Sequence, residues 1–363
     1  MKRQTYWVLA AVLMVALVWV GCSTDRGPVA PSQESEFAPA ATKPVGVGAV
    51  MAAQNRHTNA LMAVSGVMGT ATGLGTNGAA AVLVLTERAG VAGIPASLDG
   101  VPVAVMVTGK IVARHHRPGH GGGPGGGGGG EDPPADPPAD PTARQDRPVP
   151  IGVSTGHPAI TAGTIGCRVT DGTNVYALSN NHVYAAINTA GIGDAVIQPG
   201  TFDGGLSPTD DIGILHDFEP IKFDGSDNTI DAAIALSSTA NLGNATLSEG
   251  YGTPKSITLA ASVNLRVMKY GRTTRQTKGR VQAINAIVDV NYGSSGVARF
   301  VNQIIITPGN FSDGGDSGSL IVVEKGRNKG KPVGLLFAGS TTHTIANPID
   351  AVLSRFGVTV DGN

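Results

Sequence analysis

Short apolar or alternating runs, each bounded by Gly, Asn, Asp or Ser, recur from about residue 149 to the end of the chain. Runs of this length that are rich in Val and Ile predict β-strands. The predicted strands are 160–169, 175–178, 195–198, 212–215, 232–236, 265–268, 281–290, 299–306, 320–323 and 333–337. Many short strands at regular spacing are typical of an all-β sandwich or barrel.

Two segments instead carry apolar residues at helical spacing. Residues 348–356 predict a C-terminal helix that ends at Gly357, because glycine is a common helix stop. Near the start of the chain, residues 49–67 predict a helix. Strands are expected after it at 79–85, 101–107 and 110–113, the last two as a pair. Residues 45–114 are therefore predicted to form a small α/β module.

A linker is predicted between the two regions, over residues 115–147. It contains six consecutive glycines at 125–130 and two copies of Asp-Pro-Pro-Ala. Glycine runs are flexible and proline runs are extended, so neither builds a core. The remaining residues, 148–363, are long enough to bury one core of their own.

The N-terminus has the pattern of an export signal over residues 1–22. Lys2 and Arg3 precede 14 apolar residues, which are too few for a membrane span of ~20. The run ends at Gly21-Cys22-Ser23, which resembles a bacterial lipobox and implies acylation of Cys22. A lipid-anchored protein, an ordinary secreted protein and a retained anchor remain alternatives. Residues 23–44 are rich in Pro, Ala and Ser and predict a disordered tether.

The composition narrows the function classes. The 26 Lys and Arg balance 27 Asp and Glu, so nothing favours nucleic acid or a polybasic membrane patch. Only two cysteines are present, Cys22 and Cys167, which excludes a disulfide framework. Cys167 lies in an apolar run and is expected to be a small buried hydrophobe.

Two motifs suggest other chemistry, with weaker support. Residues 73–78 match the Gly-x-Gly-x-x-Gly pattern of dinucleotide sites, but a helix precedes them and a strand follows, the reverse of what such a site needs. A Gly-rich turn is the simpler interpretation. His115, His116 and His120 allow a metal site, but a solvated linker is the simpler interpretation.

The strongest candidate chemistry lies at Gly314-Gly315-Asp316-Ser317-Gly318-Ser319, just before an apolar strand. The glycines allow a turn in which backbone N–H groups point at one spot beside the Ser317 hydroxyl. Such a spot can hold the oxygen that becomes negative when an acyl group is attacked. We therefore interpret Ser317 as a nucleophile, which needs an adjacent base.

His182 is the preferred base because it follows the predicted strand 175–178 directly and enters a short helical turn. The other histidines of this region, His157, His216 and His343, remain rivals. The orienting carboxylate is assigned to Asp231, which heads a short apolar strand 49 residues after His182. Asp211, 29 residues after His182, heads another strand and is the alternative.

The candidates follow the order His, Asp, Ser, the order of the chymotrypsin-type barrels. About 215 residues from Pro148 onward resemble the trypsin-like (chymotrypsin-fold) serine peptidases in their bacterial, disulfide-free form. The matching motifs are Ser179-Asn180-Asn181-His182, Ile230-Asp231-Ala232-Ala233-Ile234-Ala235, the Lys269–Val281 hairpin and Gly314–Ser319. In the hairpin, Arg275 stands where glycine is usual. The strand 332–340 resembles the one that lines the substrate pocket.

The resemblance implies an all-β double barrel with a C-terminal helix, acting as an extracytoplasmic serine endopeptidase. Ser317, His182 and Asp231 would be catalytic, and the N–H groups of Gly315 and Ser317 would form the oxyanion hole. Weaker candidates for the substrate pocket are Phe311, Phe337, Ala338 and Gly339. The partner would be a peptide or protein substrate, with no metal or organic cofactor and no membrane contact beyond the anchor at Cys22.

Two questions remain open at this point. The alternative function is an inactive trypsin-like barrel that serves as a binding or scaffold module on the cell envelope. The segment 45–114 is expected to act either as a pro-region or as a spacer or partner-binding module.

Overall fold

The computed structural model describes residues 46–113 and 139–363. The predicted export signal, Cys22, the tether and most of the predicted linker lie outside the described residues. Across the described ranges, no helix is both long enough and apolar enough to cross a membrane.

The described N-terminal residues, 46–113, contain one helix and five strands. These are α1 (Val47–Met62), β1 (Val67–Leu74), β2 (Ala80–Thr86), β3 (Ser97–Leu98), β4 (Val101–Val107) and β5 (Val112–Ala113).

The C-terminal part is dominated by strands, as the sequence predicts. Its first half contains β6 (Val149–Ile151), β7 (Ser154–Thr155), β8 (Gly163–Thr164), β9 (Cys167–Thr170), β10 (Val175–Ser179), α2 (Asn181–Tyr184), β11 (Ala195–Ile197), β12 (Asp211–Phe218), β13 (Asp227–Asn228), β14 (Ala233–Ser237) and β15 (Leu242–Thr246). Its second half contains β16 (Arg266–Gly271), β17 (Arg275–Asn291), β18 (Val297–Thr307), β19 (Leu320–Val323), β20 (Pro332–Gly339), β21 (Thr344–Pro348), α3 (Ile349–Phe356) and β22 (Thr359–Val360).

Two large sheets organise these strands. In the larger one, β18, β21, β20, β19, β16 and β17 pair in that order, and β17 pairs back to β18, so the pairings form a ring. The smaller sheet runs as an open path β11-β12-β14-β10-β9-β22. Within the described residues, the sequence-predicted double barrel therefore corresponds to one closed ring of pairings and one open six-stranded sheet.

Each sheet covers an apolar core. The core of the smaller sheet includes Ile165, Leu178 and Ile234, together with Cys167, which is fully buried as expected. Burial raises the pKa of the Cys167 thiol, so the sulfur stays protonated and apolar. The C-terminal helix α3 is confirmed, and Gly357 ends it with a φ of 64°.

The N-terminal part does not stand apart as a separate module. Strand β1 pairs antiparallel with β17, and β2 and β4 continue the same sheet outward. Gly69 permits the close approach, because a Cβ atom there would lie 2.5 Å from the carbonyl oxygen of Ile287. The predicted pair of strands after residue 100 is also arranged differently, since β5 pairs with β17 and β20 and not with β4.

A buried amide joins helix α1 to this sheet. The Nε2 group of Gln54, fully buried, donates to the carbonyl oxygen of Asn285 on β17 at 2.8 Å. Its Oε1 atom accepts from the Thr72 hydroxyl at 2.7 Å and from the Asn285 amide at 3.1 Å. Since buried polar groups need partners, this amide fixes how α1 packs on β1 and β17.

We predict that Gln54→Ala destabilises the fold. The substitution leaves several buried polar groups without their partner, and each such group typically lowers the free energy of unfolding by about 1–3 kcal/mol. The free energy of unfolding in urea should fall by at least the lower figure, whereas Asn59→Ala on the exposed face of α1 should change it little. Equal stability of the two variants would contradict the assigned role of Gln54.

Candidate active site

Strand register brings His182 and Asp231 together. Strands β10 and β14 pair antiparallel, with Ser179 opposite Ala233. The residues that follow β10 and those that precede β14 therefore lie side by side. His182, on the single-turn helix α2, contacts Asp231 through Nδ1 and the carboxylate Oδ2 at 2.5 Å. Both side chains are buried.

The contact fixes the imidazole tautomer. An ionised carboxylate can only accept hydrogen bonds, so Nδ1 of His182 carries the proton and Nε2 is the basic nitrogen. The backbone N–H of His182 also donates to Asp231, to Oδ1 at 3.2 Å. The carboxylate therefore holds both the ring and the backbone of the residue that would serve as base.

Two residues of the larger sheet fix Asp231 from the other side. The hydroxyl of Tyr292, just after β17, donates to Asp231 Oδ2 at 2.7 Å. The amide oxygen of Asn347, on β21, accepts from the Asp231 backbone N–H at 2.5 Å. Burial and the neighbouring carboxylate raise the pKa of Tyr292, which keeps its hydroxyl protonated as a donor. Nothing in the sequence around Tyr292 marks this role, because the contact joins residues 61 positions apart.

The rival residues lie elsewhere. Asp211 begins β12 opposite Ile197, and its carbonyl oxygen accepts from Arg147. Among the rival histidines, the ring of His157 contacts Asp194 at 3.2 Å and that of His216 packs on Tyr176. His343 contacts the neighbouring Thr342 hydroxyl at 2.8 Å.

Ser317 lies on the loop that precedes β19. It is fully buried, and its hydroxyl donates to the carbonyl oxygen of Phe337 on β20 at 3.3 Å. Its own carbonyl oxygen accepts from the Thr164 N–H at 2.8 Å. Gly163 sits between this loop and α2, since a Cβ atom there would lie 2.5 Å from the side chain of Val183 and 3.1 Å from the Ser317 carbonyl oxygen. The serine loop and the His182 turn thus pack on the same short strand, β8.

A buried ion pair fixes the serine loop to the hairpin between β16 and β17. Lys269 Nζ lies 3.1 Å from Asp316 Oδ2, and both side chains are fully buried. The carboxylate also accepts from the hydroxyl of Thr274 at 2.7 Å and from the N–H groups of Thr273 and Asp313, each at 2.9 Å. Burial alone would raise the pKa of Asp316, but Lys269 and these donors outweigh it and hold the pKa below its usual range.

One contact from the hairpin and one within the serine loop fix the direction of two of the loop's peptide groups. The Thr273 hydroxyl donates to the carbonyl oxygen of Gly314 at 2.6 Å, and Ser319 donates through its hydroxyl to that of Asp316 at 2.6 Å. In a trans peptide the N–H points opposite to the C=O. The N–H groups of Gly315 and Ser317 therefore point away from these partners.

Two residues, one in the serine loop and one in the hairpin, have a left-handed backbone conformation. Gly315 has a φ of 93°, which side chains other than glycine rarely adopt. Arg275, at the position where glycine is usual, takes a φ of 54°. Its guanidinium donates to the Ala139 carbonyl oxygen and to the Glu249 carboxylate, at 3.0 and 3.1 Å, which offsets part of the backbone cost.

The predicted pocket residues do not form one cluster. Phe311 is buried with Ile306 and Leu336, whereas Phe337 packs on Phe300 with ring centroids 4.7 Å apart in a different cluster. Ala338 and Gly339, also buried, lie on β20 and pair with β5. In the described part of the chain, no group of three or more His, Cys, Asp or Glu could hold a metal ion.

One family model matches part of the chain. It is described as the Nal1 C-terminal domain and matches residues 232–347, under half of the chain. No curated protein sequence matches.

Solved structures of bacterial-type serine proteases are similar to the chain. A glutamic-acid-specific serine protease that uses a histidine triad in substrate binding is 24% identical, with a TM-score of 0.43 over 58% of this chain and 100% of its own. Protease A of Thermobifida fusca is 17% identical, with a TM-score of 0.41 over 59% and 99%. The chymotrypsin of Cellulomonas bogoriensis is 17% identical, with a TM-score of 0.40 over 59% and 99%. Each is a protein that this chain resembles, as its sequence motifs predict.

We predict that Lys269→Met destabilises the protein strongly. It leaves the Asp316 carboxylate buried without its cation, which typically costs about 3–5 kcal/mol. Urea unfolding at neutral pH measures the loss. Lys278→Met on β17, where the lysine is 60% exposed, is the control and should change stability by under ~1 kcal/mol.

The pH dependence of this loss separates the ion pair from simple packing. A carboxyl whose pKa is lower in the folded state stabilises the fold above its unfolded pKa of about 3.9. That stabilisation is lost as the pH falls through the folded pKa. The stability difference between wild type and Lys269→Met should therefore shrink below about pH 4. A difference independent of pH would contradict the ion-pair account.

Proposed function

We propose that the chain is an extracytoplasmic serine endopeptidase with a chymotrypsin-like double barrel, acting on peptide or protein substrates. The observation that carries the proposal is the buried pair of His182 and Asp231, held from the larger sheet by Tyr292 and Asn347. Burying a carboxylate costs free energy unless the group is paired and hydrogen-bonded. Here its partner is Nδ1 of a histidine, the arrangement that orients an imidazole as a general base.

The proposed mechanism uses three residues in sequence. Ser317 Oγ attacks the scissile carbonyl carbon while Nε2 of His182 takes its proton. The N–H groups of Gly315 and Ser317 hold the carbonyl oxygen as it becomes negative. His182 then gives its proton to the leaving amine, the C–N bond breaks, and water hydrolyses the acyl-enzyme in the same way. Asp231 stays ionised and stabilises the imidazolium.

The proposed location outside the cytoplasm rests on the predicted export signal at residues 1–22, with Cys22 as the proposed lipidation site. For substrate preference, residue 311 is phenylalanine and not an acid, which does not favour Lys or Arg in the primary pocket. A small or medium apolar side chain is the proposed preference.

We predict that a fluorophosphonate probe labels Ser317 in the folded full-length protein, with Oγ displacing fluoride from phosphorus. Ser317→Ala and His182→Ala should each abolish labelling and peptide hydrolysis, and the double variant should be no worse, because triad members act as one unit. Asp231→Asn should lower the hydrolysis rate by about 10⁴, whereas Asp211→Asn should be mild.

Intact mass and peptide mapping identify the labelled residue. Failure to label folded protein would favour the alternative, an inactive barrel that acts as a binding or scaffold module. A severe Asp211→Asn effect beside a mild Asp231→Asn effect would contradict the assignment of the carboxylate.

Tyr292 offers a second prediction as a positioning residue. Tyr292→Phe removes the hydroxyl from Asp231 and keeps the ring, and should lower kcat/KM by roughly 10- to 100-fold, as for hydrogen bonds to charged groups. The loss should appear in kcat and not in KM, because the hydroxyl positions the carboxylate behind the base and does not contact the substrate.

Tyr176→Phe is the matched control. The Tyr176 hydroxyl also donates to an aspartate, at 2.8 Å, but this is Asp171 and not the partner of His182. It should leave both kcat and KM unchanged. A rise in KM at unchanged kcat in Tyr292→Phe would contradict the positioning role.

A further inference from the structure

One edge of β20 leads directly to Ser317. Strand β21 pairs along residues 334–339, so it covers the other edge. On the Ser317 side, β19 pairs as far as Leu335, the N–H of Gly318 donates to the Leu336 carbonyl oxygen at 2.8 Å, and the Ser317 hydroxyl donates to that of Phe337. The next two positions on this edge are Ala338 and Gly339.

These two positions are occupied by the chain's own strand β5. Ala338 pairs with Ala113 and Gly339 with Val112, antiparallel. Because β5 runs opposite to β20, the chain travels from Gly339 towards Phe337 and thus towards Ser317. Successive residues of a strand are ~3.4 Å apart. Ala113, opposite Ala338, therefore lies one residue from the level of Phe337, whose carbonyl oxygen accepts from the Ser317 hydroxyl.

Strand β5 is held in a slot between β20 and the end of β17. The N–H of Asn291 donates to the Ile111 carbonyl oxygen at 3.0 Å, and Val112 pairs parallel with Asn291. Ile111 and Ala113 are buried in the same cluster as Phe337 and Tyr292. Just before the segment, the Thr108 N–H donates to the carbonyl oxygen of Thr86 at 2.9 Å, which anchors it to β2.

We propose that residues Ile111–Ala113 are a built-in ligand of a peptide-binding site on this edge of β20, and that they compete with peptide substrates for it, so that the wild-type protein reacts only in the fraction of molecules from which the segment has withdrawn. Extended peptides bind exposed sheet edges by adding a strand, with main-chain hydrogen bonds supplying affinity. The inhibitory consequence rests on the proposed function. The burial of both His182, 2% exposed, and Ser317, 0% exposed, accords with an occluded site.

The slot also indicates which peptides compete with the segment. Ala113 is 4% exposed, so the position paired with Ala338 accepts a small side chain. Val112 is 40% exposed, so the position paired with Gly339 tolerates variation. A two-residue ladder opens more readily than the long β17–β18 hairpin, which makes withdrawal of the segment possible without global unfolding.

The test compares two substitutions at one position in the full-length chain. Val112→Pro removes the backbone N–H that a central strand needs, whereas Val112→Thr keeps the N–H and the β-branched shape and should leave the segment on β20. Val112→Pro should be labelled by fluorophosphonate at least about tenfold faster than Val112→Thr. Loss of one backbone hydrogen bond changes the ratio of withdrawn to bound segment by roughly this factor. Ile111→Ala, which truncates the buried anchor, should change labelling in the same direction and serves if the proline variant does not fold.

A binding assay in the Ser317→Ala background is independent of catalysis. A fluorescein-labelled Thr-Gly-Lys-Ile-Val-Ala peptide, the sequence of residues 108–113, should bind Val112→Pro and not Val112→Thr, measured by anisotropy. Peptide binding with no labelling of any variant would refute the proposed function and keep the built-in ligand. Equal labelling of the two variants with no peptide binding to either would overturn the built-in ligand and keep the peptidase.

Discussion

The buried ion pair of Lys269 and Asp316 is the interaction on which the candidate site depends. Two charges removed from water are tolerated only when they compensate each other and have further hydrogen bonds, and Asp316 has donors from Thr273, Thr274 and Asp313. The pair fixes the backbone at Asp316, next to the proposed nucleophile, and the hydroxyls of Thr273 and Ser319 fix the neighbouring carbonyl groups. In the proposed mechanism, a hydroxyl and two donors in fixed positions would need no reorganisation during the reaction, which is the property that electrostatic catalysis requires.

The second constraint is that the site belongs to both sheets. His182 and Asp231 come from the ends of neighbouring strands of the smaller sheet, whereas Ser317, Tyr292 and Asn347 come from the larger one. The N-terminal part enters the same region, since β1 extends β17 and β5 lies between β17 and β20. A segment expected to be a separate module is therefore integrated into the sheet that carries the proposed nucleophile.

The sequence predicted what local patterns encode. Most strands from residue 160 onward, helix α3 and its Gly357 end were visible in the periodicity, and the motif at Gly314–Ser319 marked the serine loop. Long-range contacts are not visible in the sequence: nothing around Lys269 and Arg272 indicates that they are buried against Asp316 and Asp203. Strand β1 was missed because its glycines suggested a turn, although they allow close strand pairing. Tyr292 was missed because its partner is distant in sequence.

The most direct measurement is a crystal structure of the fluorophosphonate adduct. We predict phosphorus bonded to Ser317 Oγ, with the phosphonyl oxygen about 2.7–3.1 Å from the N–H nitrogens of both Gly315 and Ser317. His182 should lie beside the modified oxygen and still be paired with Asp231. An adduct on another residue, or a phosphonyl oxygen directed away from both N–H groups, would contradict the assignment of this loop as a catalytic site.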